Sequence, residues 1–231
     1  KFMNAQVADE LYALKDEQFE DFIGLLVAVK KTSCNSRQLQ ILIELDYFSE
    51  FGDVNLLLTI NNLFGEVYGK QQIKKDKIPK LGEYITEMDV RQFAGKESEK
   101  TFTKVDMFRL LKYLAATIQV PPATIMERIS YQKENLGYVD IVDKKYVGLA
   151  LVMSVNTKWT PWLTLYALAN GKTIECKVDK RDYNRQPVKE GDVVRIEGQT
   201  YKSRQRKTEN GFEAVPGSKV LWITRYRKVV V

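Results

Sequence analysis

Lys202, Arg204, Arg206 and Lys207 put four cations into six consecutive positions, with Tyr201 and Phe212 flanking them. Cations at that spacing either reach successive phosphates of a flexible strand or clothe a solvated hairpin. Each phosphate neutralised releases a counterion, so affinity falls steeply with salt. Aromatic side chains beside them offer faces for bases, a gain of roughly 1–3 kcal/mol per stacked base. Tyr201 and Phe212 either stack in this way or pack against the protein. A second group lies upstream. Lys158 and Trp159 are followed by Thr160-Pro161, and a tryptophan at a loop tip either meets a base or plugs the β structure beneath it. Trp162, Thr164 and Tyr166 share one face of an alternating segment. Lys177 lies on the outward face of the next, together with Glu175. Trp222, in a terminal strand, reads as core.

The elements that must carry these residues follow from alternation. Val147 to Val155 is a long apolar run and a first strand. In Trp162 to Leu168, Leu163, Leu165 and Ala167 point one way and Trp162, Thr164, Tyr166 and Leu168 the other. Ala169-Asn170-Gly171-Lys172 is a hairpin turn, since Asn-Gly accepts positive φ at low cost. Thr173 to Val178 alternates again, with Ile174, Cys176 and Val178 on one side. Asp179 to Pro187 reads as a short helix or turn. Asp192 to Ile196 begins a fourth strand, Tyr201 to Pro216 a polar, basic excursion, and Lys219 to Arg227 a fifth strand. Five strands with a helical insert between the third and fourth fit a small Greek-key barrel of the oligonucleotide-binding (OB) type. There the face of strands two and three and loops one-two and four-five take single strands.

Charge separates this region from the rest. From residue 145 onward there are 17 Lys and Arg against 8 Asp and Glu; the preceding residues carry 19 against 22. The excess of +6 therefore lies entirely in the β segment. With no histidine in its 231 residues, the chain has neither His acid–base catalysis nor His metal ligation. Cys34 and Cys176 fall in different expected domains and make neither a disulfide framework nor a zinc site. No Walker loop, Gly-x-Ser-x-Gly or Gly-x-Gly-x-x-Gly is present. Asp140 with Asp143 and Asp76 with Asp89 read as solvated carboxylates. The expectation is a chain without catalysis, cofactor or metal. No apolar run approaches a membrane span, and Lys1-Phe2-Met3 leads straight into an amphipathic segment, so the cytoplasm is expected.

The first part reads as helical. Asn4 to Lys15 carries Val7, Ala8, Leu11 and Leu14 at helical spacing. Asp16 is positioned to cap a second helix carrying Phe19, Phe22, Ile23, Leu26 and Val27. Asn35 or Ser36 caps a third, and a fourth runs from Val54 to about Phe64. Residues 69–103 read as a linker or bridging segment. Its run Lys70, Lys74, Lys75, Lys77 and Lys80 is either a solvated face or a phosphate contact. Lys104 to Gln119 is a helix with Val105, Phe108, Leu111, Leu114 and Ala115 on one side, and Ala123 to Asn135 another. The expected architecture is α+β: 1–68 helical and helix-hairpin-helix-like, 69–103 a linker, 104–140 a helical connector, and 141–231 the OB domain.

The order of these features resembles the region after the fingers in the α subunit of bacterial DNA polymerase III, the C-family replicative polymerase. Phe19-Glu20-Asp21-Phe22, then Asn35-Ser36-Arg37-Gln38-Leu39-Gln40-Ile41-Leu42-Ile43, then Asp46-Tyr47-Phe48-Ser49-Glu50-Phe51-Gly52 resembles the second half of that family's tandem helix-hairpin-helix. Glu134-Asn135-Leu136-Gly137-Tyr138 resembles the segment preceding its OB domain. Thr157-Lys158, Leu163-Thr164-Leu165, Gly171 and Gly191-Asp192-Val193-Val194 resemble that domain itself. The chain departs from the family in lacking the glycine-rich hairpin that meets duplex phosphates. It also lacks the phosphoesterase and palm regions with their magnesium-holding carboxylates. The resemblance thus implies a non-catalytic, DNA-binding C-terminal piece of a polymerase, its OB domain taking single-stranded template. Lys104-Val105-Asp106-Met107-Phe108 lies where the family places a clamp-docking peptide. Met107 and Phe108 are either that contact with the sliding clamp or ordinary core of a helix. Two other readings are an interaction module for replisome proteins and an RNA-binding OB protein.

Overall fold

The computed structural model describes residues 4–209 and 211–229; the reading of Lys1-Phe2-Met3 lies outside them. The chain divides into two compact units, Lys1–Gly137 and Tyr138–Val231.

In the first unit each helix starts at a polar side chain that accepts from an otherwise unpaired amide. Asn4 caps α1 (Ala5–Ala13). Asp21, rather than Asp16, caps α2 (Phe22–Val29), its Oδ1 accepting from the Gly24 amide at 2.8 Å; Asp16 ends a 3-10 turn. A capping box between Asn35 and Gln38 opens α3 (Ser36–Glu44). Asp53 caps α4 (Val54–Val67), which continues past Gly65 to bury Val67. Phe22, Leu26, Ile43, Leu57 and Phe64 meet in one core.

Residues 69–103 are folded, contrary to the linker reading. β1 (Gln72–Lys74), α5 (Glu87–Gln92), β2 (Ala94–Glu97) and β3 (Thr101–Val105) follow one another. The strands form an antiparallel sheet in the order β1-β3-β2. Ile73, Ile78, Ile85, Val90 and Phe102 are buried in the same core as the helices. That burial draws an otherwise polar segment onto the helical core. The segment also pairs its own charges. Arg91 holds Glu97 through Nε at 2.7 Å and Nη2 at 2.8 Å, and Lys75 Nζ reaches it at 2.6 Å. These hydrogen bonds bring the Glu97 carboxyl down to about 2.

Lys104, with φ 52°, lies within β3, which runs on to Val105 and pairs there with Ala94. The helix expected from Lys104 is accordingly shorter: α6 (Met107–Thr117), capped by Asp106. Thr124 and Glu127 form the capping box of α7 (Ile125–Leu136), and Gly137 closes it in the left-handed conformation. Arg128 ties α7 to the start of α4, reaching Asp46 at 2.5 Å and Asp53 at 2.8 Å. Burial pushes the Asp53 carboxyl up. The Ala123 and Asn55 amides and the Arg128 guanidinium outweigh it, so its pKa lies below the ordinary value.

The second unit carries β4 (Leu149–Asn156), β5 (Trp162–Ala167), β6 (Lys172–Val178), α8 (Lys180–Arg185), β7 (Val193–Thr208) and β8 (Gly211–Lys228). The five strands close into a ring in the order β4-β5-β6-β8-β7. β6 and β8 run parallel; the other pairs are antiparallel. Ala150, Val152, Leu163, Leu165, Cys176, Val178, Val194, Leu221 and Ile223 fill the interior. Burial drives the Cys176 thiol up to about 12, so it is an inert core residue. A register shift between Val152 and Ser154 turns Met153 out, as a β-bulge does. The chain as a whole mixes α and β structure. Among the described residues no helix is long and apolar enough to cross a membrane.

Candidate nucleic-acid interface

Strand parity decides which side chains leave the ring. Leu163, Cys176, Leu221 and Ile223 point inward and are buried. Their neighbours therefore point outward. Register places Trp162 opposite Lys177, Lys177 opposite Trp222, and Trp222 opposite Thr200. A single row thus crosses four strands on the outer surface. Trp222 is half-buried on this row and is not the core residue expected from the sequence. Its alternation with Leu221 and Ile223 was the available signal, but Val220 and Trp222 made the other face equally apolar.

The row alternates rings and cations. Lys177 Nζ lies 5.2 Å from the Trp162 ring centre and 5.9 Å from that of Trp222. Lys202 Nζ lies 4.1 Å from Trp222 on the other side. Two strand spacings, about 10 Å, separate the tryptophans, with an ammonium group between them. That arrangement can take a base on each ring and a phosphate at Lys177. A base arriving on Trp222 displaces Lys202. An exposed cation–π contact is worth about 0.5–1 kcal/mol and stacking about 1–3 kcal/mol, so the exchange is favourable and frees Lys202 for a phosphate.

Next to Trp162 along β5, Thr164 sits opposite Glu175 and is hydrogen-bonded by Ser154 Oγ at 2.9 Å. The Glu175 carboxylate repels phosphate. It sets a negative charge at that edge of the row. Tyr166 is four residues from Trp162, about 13 Å along the strand. It pairs with Thr173 beside the β5–β6 turn. Its hydroxyl lies 3.3 Å from where a Cβ on Gly171 would stand, a position held at φ 68°. Burial raises the Tyr166 hydroxyl pKa. Tyr166 is therefore set apart from the Trp162 row. Trp159, between β4 and β5, is 80 % exposed; this excludes the plug reading. Lys158 adjoins it, its amide donating to Asn156 Oδ1 at 3.0 Å.

The basic excursion is not a loop. β7 and β8 stay paired through Lys207 with Phe212 and Thr208 with Gly211. Tyr201 and Phe212 are 64 % and 70 % exposed, and both therefore present their rings to solvent rather than to a core. Sequence patterning left a solvated hairpin here as one alternative beside the loop, because neither face carries an apolar stripe to mark its strands. Among the described residues, none of Lys158, Lys177, Lys202, Arg204, Arg206 and Lys207 has a carboxylate within salt-bridge distance. Near the base of the ribbon, by contrast, Arg227 pairs with Glu197 and Lys228 with Asp192.

Met107 and Phe108 part company at the start of α6. Met107 is 5 % exposed and belongs to the first unit's core, while Phe108 is 41 % exposed, with Lys112 Nζ 5.0 Å from its ring. Met107 thus lies where the core-of-a-helix alternative puts it, while Phe108 stays at the surface. No group of three or more Cys, Asp or Glu among the described residues is placed to hold a metal ion. No family model, curated protein or solved structure matches this chain.

Proposed function

We propose that this chain is a non-catalytic DNA-binding piece whose second unit is an OB-type module for single-stranded DNA. The row Trp162–Lys177–Trp222–Lys202 carries this reading. Bases stack on the tryptophans and phosphates meet the lysines, so binding tolerates any sequence. The strand order, the parallel β6–β8 pair and α8 between the third and fourth strands support the OB assignment. The row begins on the strands that take ligand in that fold and extends to the strands that flank them. Lys158 and Trp159 lie where its loop one-two takes part in binding. In the setting that the sequence resemblance suggests, a C-family replicative polymerase, such a module guides template toward catalytic domains elsewhere in the parent protein. Replisome proteins are then its neighbours.

The test is a fluorescence-anisotropy titration of labelled oligo-dT with the full chain at two salt concentrations. Wild type is expected to bind with a steep negative salt slope. Trp222→Ala is expected to weaken binding about tenfold, in line with loss of one stacked base. Absence of binding at micromolar protein, or unchanged affinity in Trp222→Ala and Trp162→Ala alike, rejects the assignment. In that case protein partners become the leading ligands for the same face.

A further inference from the structure

Beyond the ring, β7 and β8 form a ribbon with solvent on both sides. Every residue from Tyr201 to Lys207 is exposed, and so are Phe212, Glu213 and Ala214 across from them. At roughly 3.3 Å per residue the stretch from Tyr201 to Thr208 is about 26 Å long. It carries Lys202, Arg204, Arg206, Lys207 and, on the return strand, Lys219, against Glu209 and Glu213. Arg206 lies opposite Glu213 and Lys207 opposite Phe212. These consecutive residues project from opposite faces, so the cations serve both sides of the ribbon.

We propose that this ribbon grips duplex DNA by seating in its major groove, next to the single strand held on the tryptophan row. The inference rests on the single-strand reading above and adds a second site to it. A flexible single strand lies along one face of a ribbon and leaves the cations of the other face unmatched. A groove has phosphates on both walls and matches both faces. Two strands about 4.8 Å apart, with side chains on either side, fit a major groove about 12 Å wide and about 8.5 Å deep. Between Ser203 and Gln205 the ladder is interrupted, with residues 215–218 of β8 unpaired between Ala214 and Lys219, and two-stranded ribbons carry a larger twist than wide sheets. A twisted ribbon follows a helical groove. Phe212, near the tip, presents an apolar ring of the kind that meets thymine methyl groups. Recognition through phosphates leaves the grip tolerant of sequence.

The full chain is titrated against three labelled DNAs: a single strand, a blunt duplex, and a duplex with a single-stranded overhang. The overhang DNA is expected to bind at least tenfold tighter than the single strand of equal overhang length. Arg204→Ala/Arg206→Ala/Lys207→Ala is expected to remove that advantage, its loss on the overhang DNA exceeding its loss on the single strand at least tenfold. Glu213→Lys, which adds a cation to the same ribbon, is expected to enlarge it. Glucosylated 5-hydroxymethylcytosine in the duplex arm, which fills the major groove, is expected to abolish it. Equal losses on single strand and overhang DNA in the triple variant overturn the duplex grip, as does full binding to the glucosylated duplex. The two proposals fail separately. Single-strand binding that depends on Trp222, with no gain from the duplex, rejects only the grip. Undiminished single-strand binding in Trp222→Ala, with the duplex advantage intact, rejects only the tryptophan row.

Discussion

Residues 70–80, with five lysines, and residues 202–207, with two lysines and two arginines, are both rich in cations, and the structure packs the chain around them differently. Around the first run, Ile73, Ile78, Ile85, Val90 and Phe102 sink into a core. There Lys75 and Arg91 close on Glu97, and Lys75 also stands 4.9 Å from the Phe102 ring. Around the second, no apolar stripe reaches a core, and the cations have no carboxylate within salt-bridge distance among the described residues. Charge alone therefore says little about whether a segment is a binding surface. What matters is whether apolar residues fold it back onto the protein and whether acids of its own sit within reach.

The comparison breaks most easily at the core. Phe102→Ala is expected to destabilise the first unit by about 3–5 kcal/mol, as loss of a fully buried phenyl ring does. Urea denaturation measures it, with Phe212→Ala as the counterpart expected to stay within about 0.5 kcal/mol. An equal cost at the two positions would mean that the ribbon tip is packed.

Removal of a paired cation comes next. Arg128→Ala leaves Asp46 and Asp53 without their partner and is expected to cost about 2 kcal/mol, less than a fully buried pair because solvent reaches the site. Since the Asp53 carboxyl is depressed in the folded state, its contribution is fully present above the unfolded Asp value of about 3.9. It is lost as pH falls through the lower, folded value. Stability measured between pH 6 and pH 2.5 is expected to fall less steeply in Asp53→Asn than in wild type; identical slopes would remove Asp53 from this account.

The smallest effects sharpen the contrast. Arg204→Ala and Arg206→Ala are each expected to leave unfolding free energy within about 0.5 kcal/mol of wild type. Each is expected to flatten the salt dependence of DNA binding by about one phosphate contact. A stability loss above 1 kcal/mol in either would place these side chains in the fold rather than on a ligand.

Local sequence carried much of the second unit. Alternation in Trp162–Leu168 and Thr173–Val178, with Asn170-Gly171 between them, specified two strands to within one position and the inward side of Leu163, Leu165, Cys176 and Val178, whereas Leu168, read on the outward face, is buried. Helix starts at Asn35 and Asp53 were equally legible, because a cap is a local hydrogen bond. Asp16 misled because a short 3-10 turn intervenes before Asp21. Lys104 misled because β3 runs through it to Val105, and its positive φ leaves no apolar signature.

What the sequence determined by itself, then, was periodicity, charge placement and the turns, all set within a few residues of chain. Tertiary structure decided three things. It folded residues 69–103, because their scattered isoleucines find a core only once the helices have assembled. It put Trp222 outward, because the parallel pairing of β6 with β8 fixes β8's parity against Cys176 and Val178. It made the basic excursion a ribbon, because a ladder of backbone hydrogen bonds depends on the partner strand and leaves no mark in either strand's side-chain pattern.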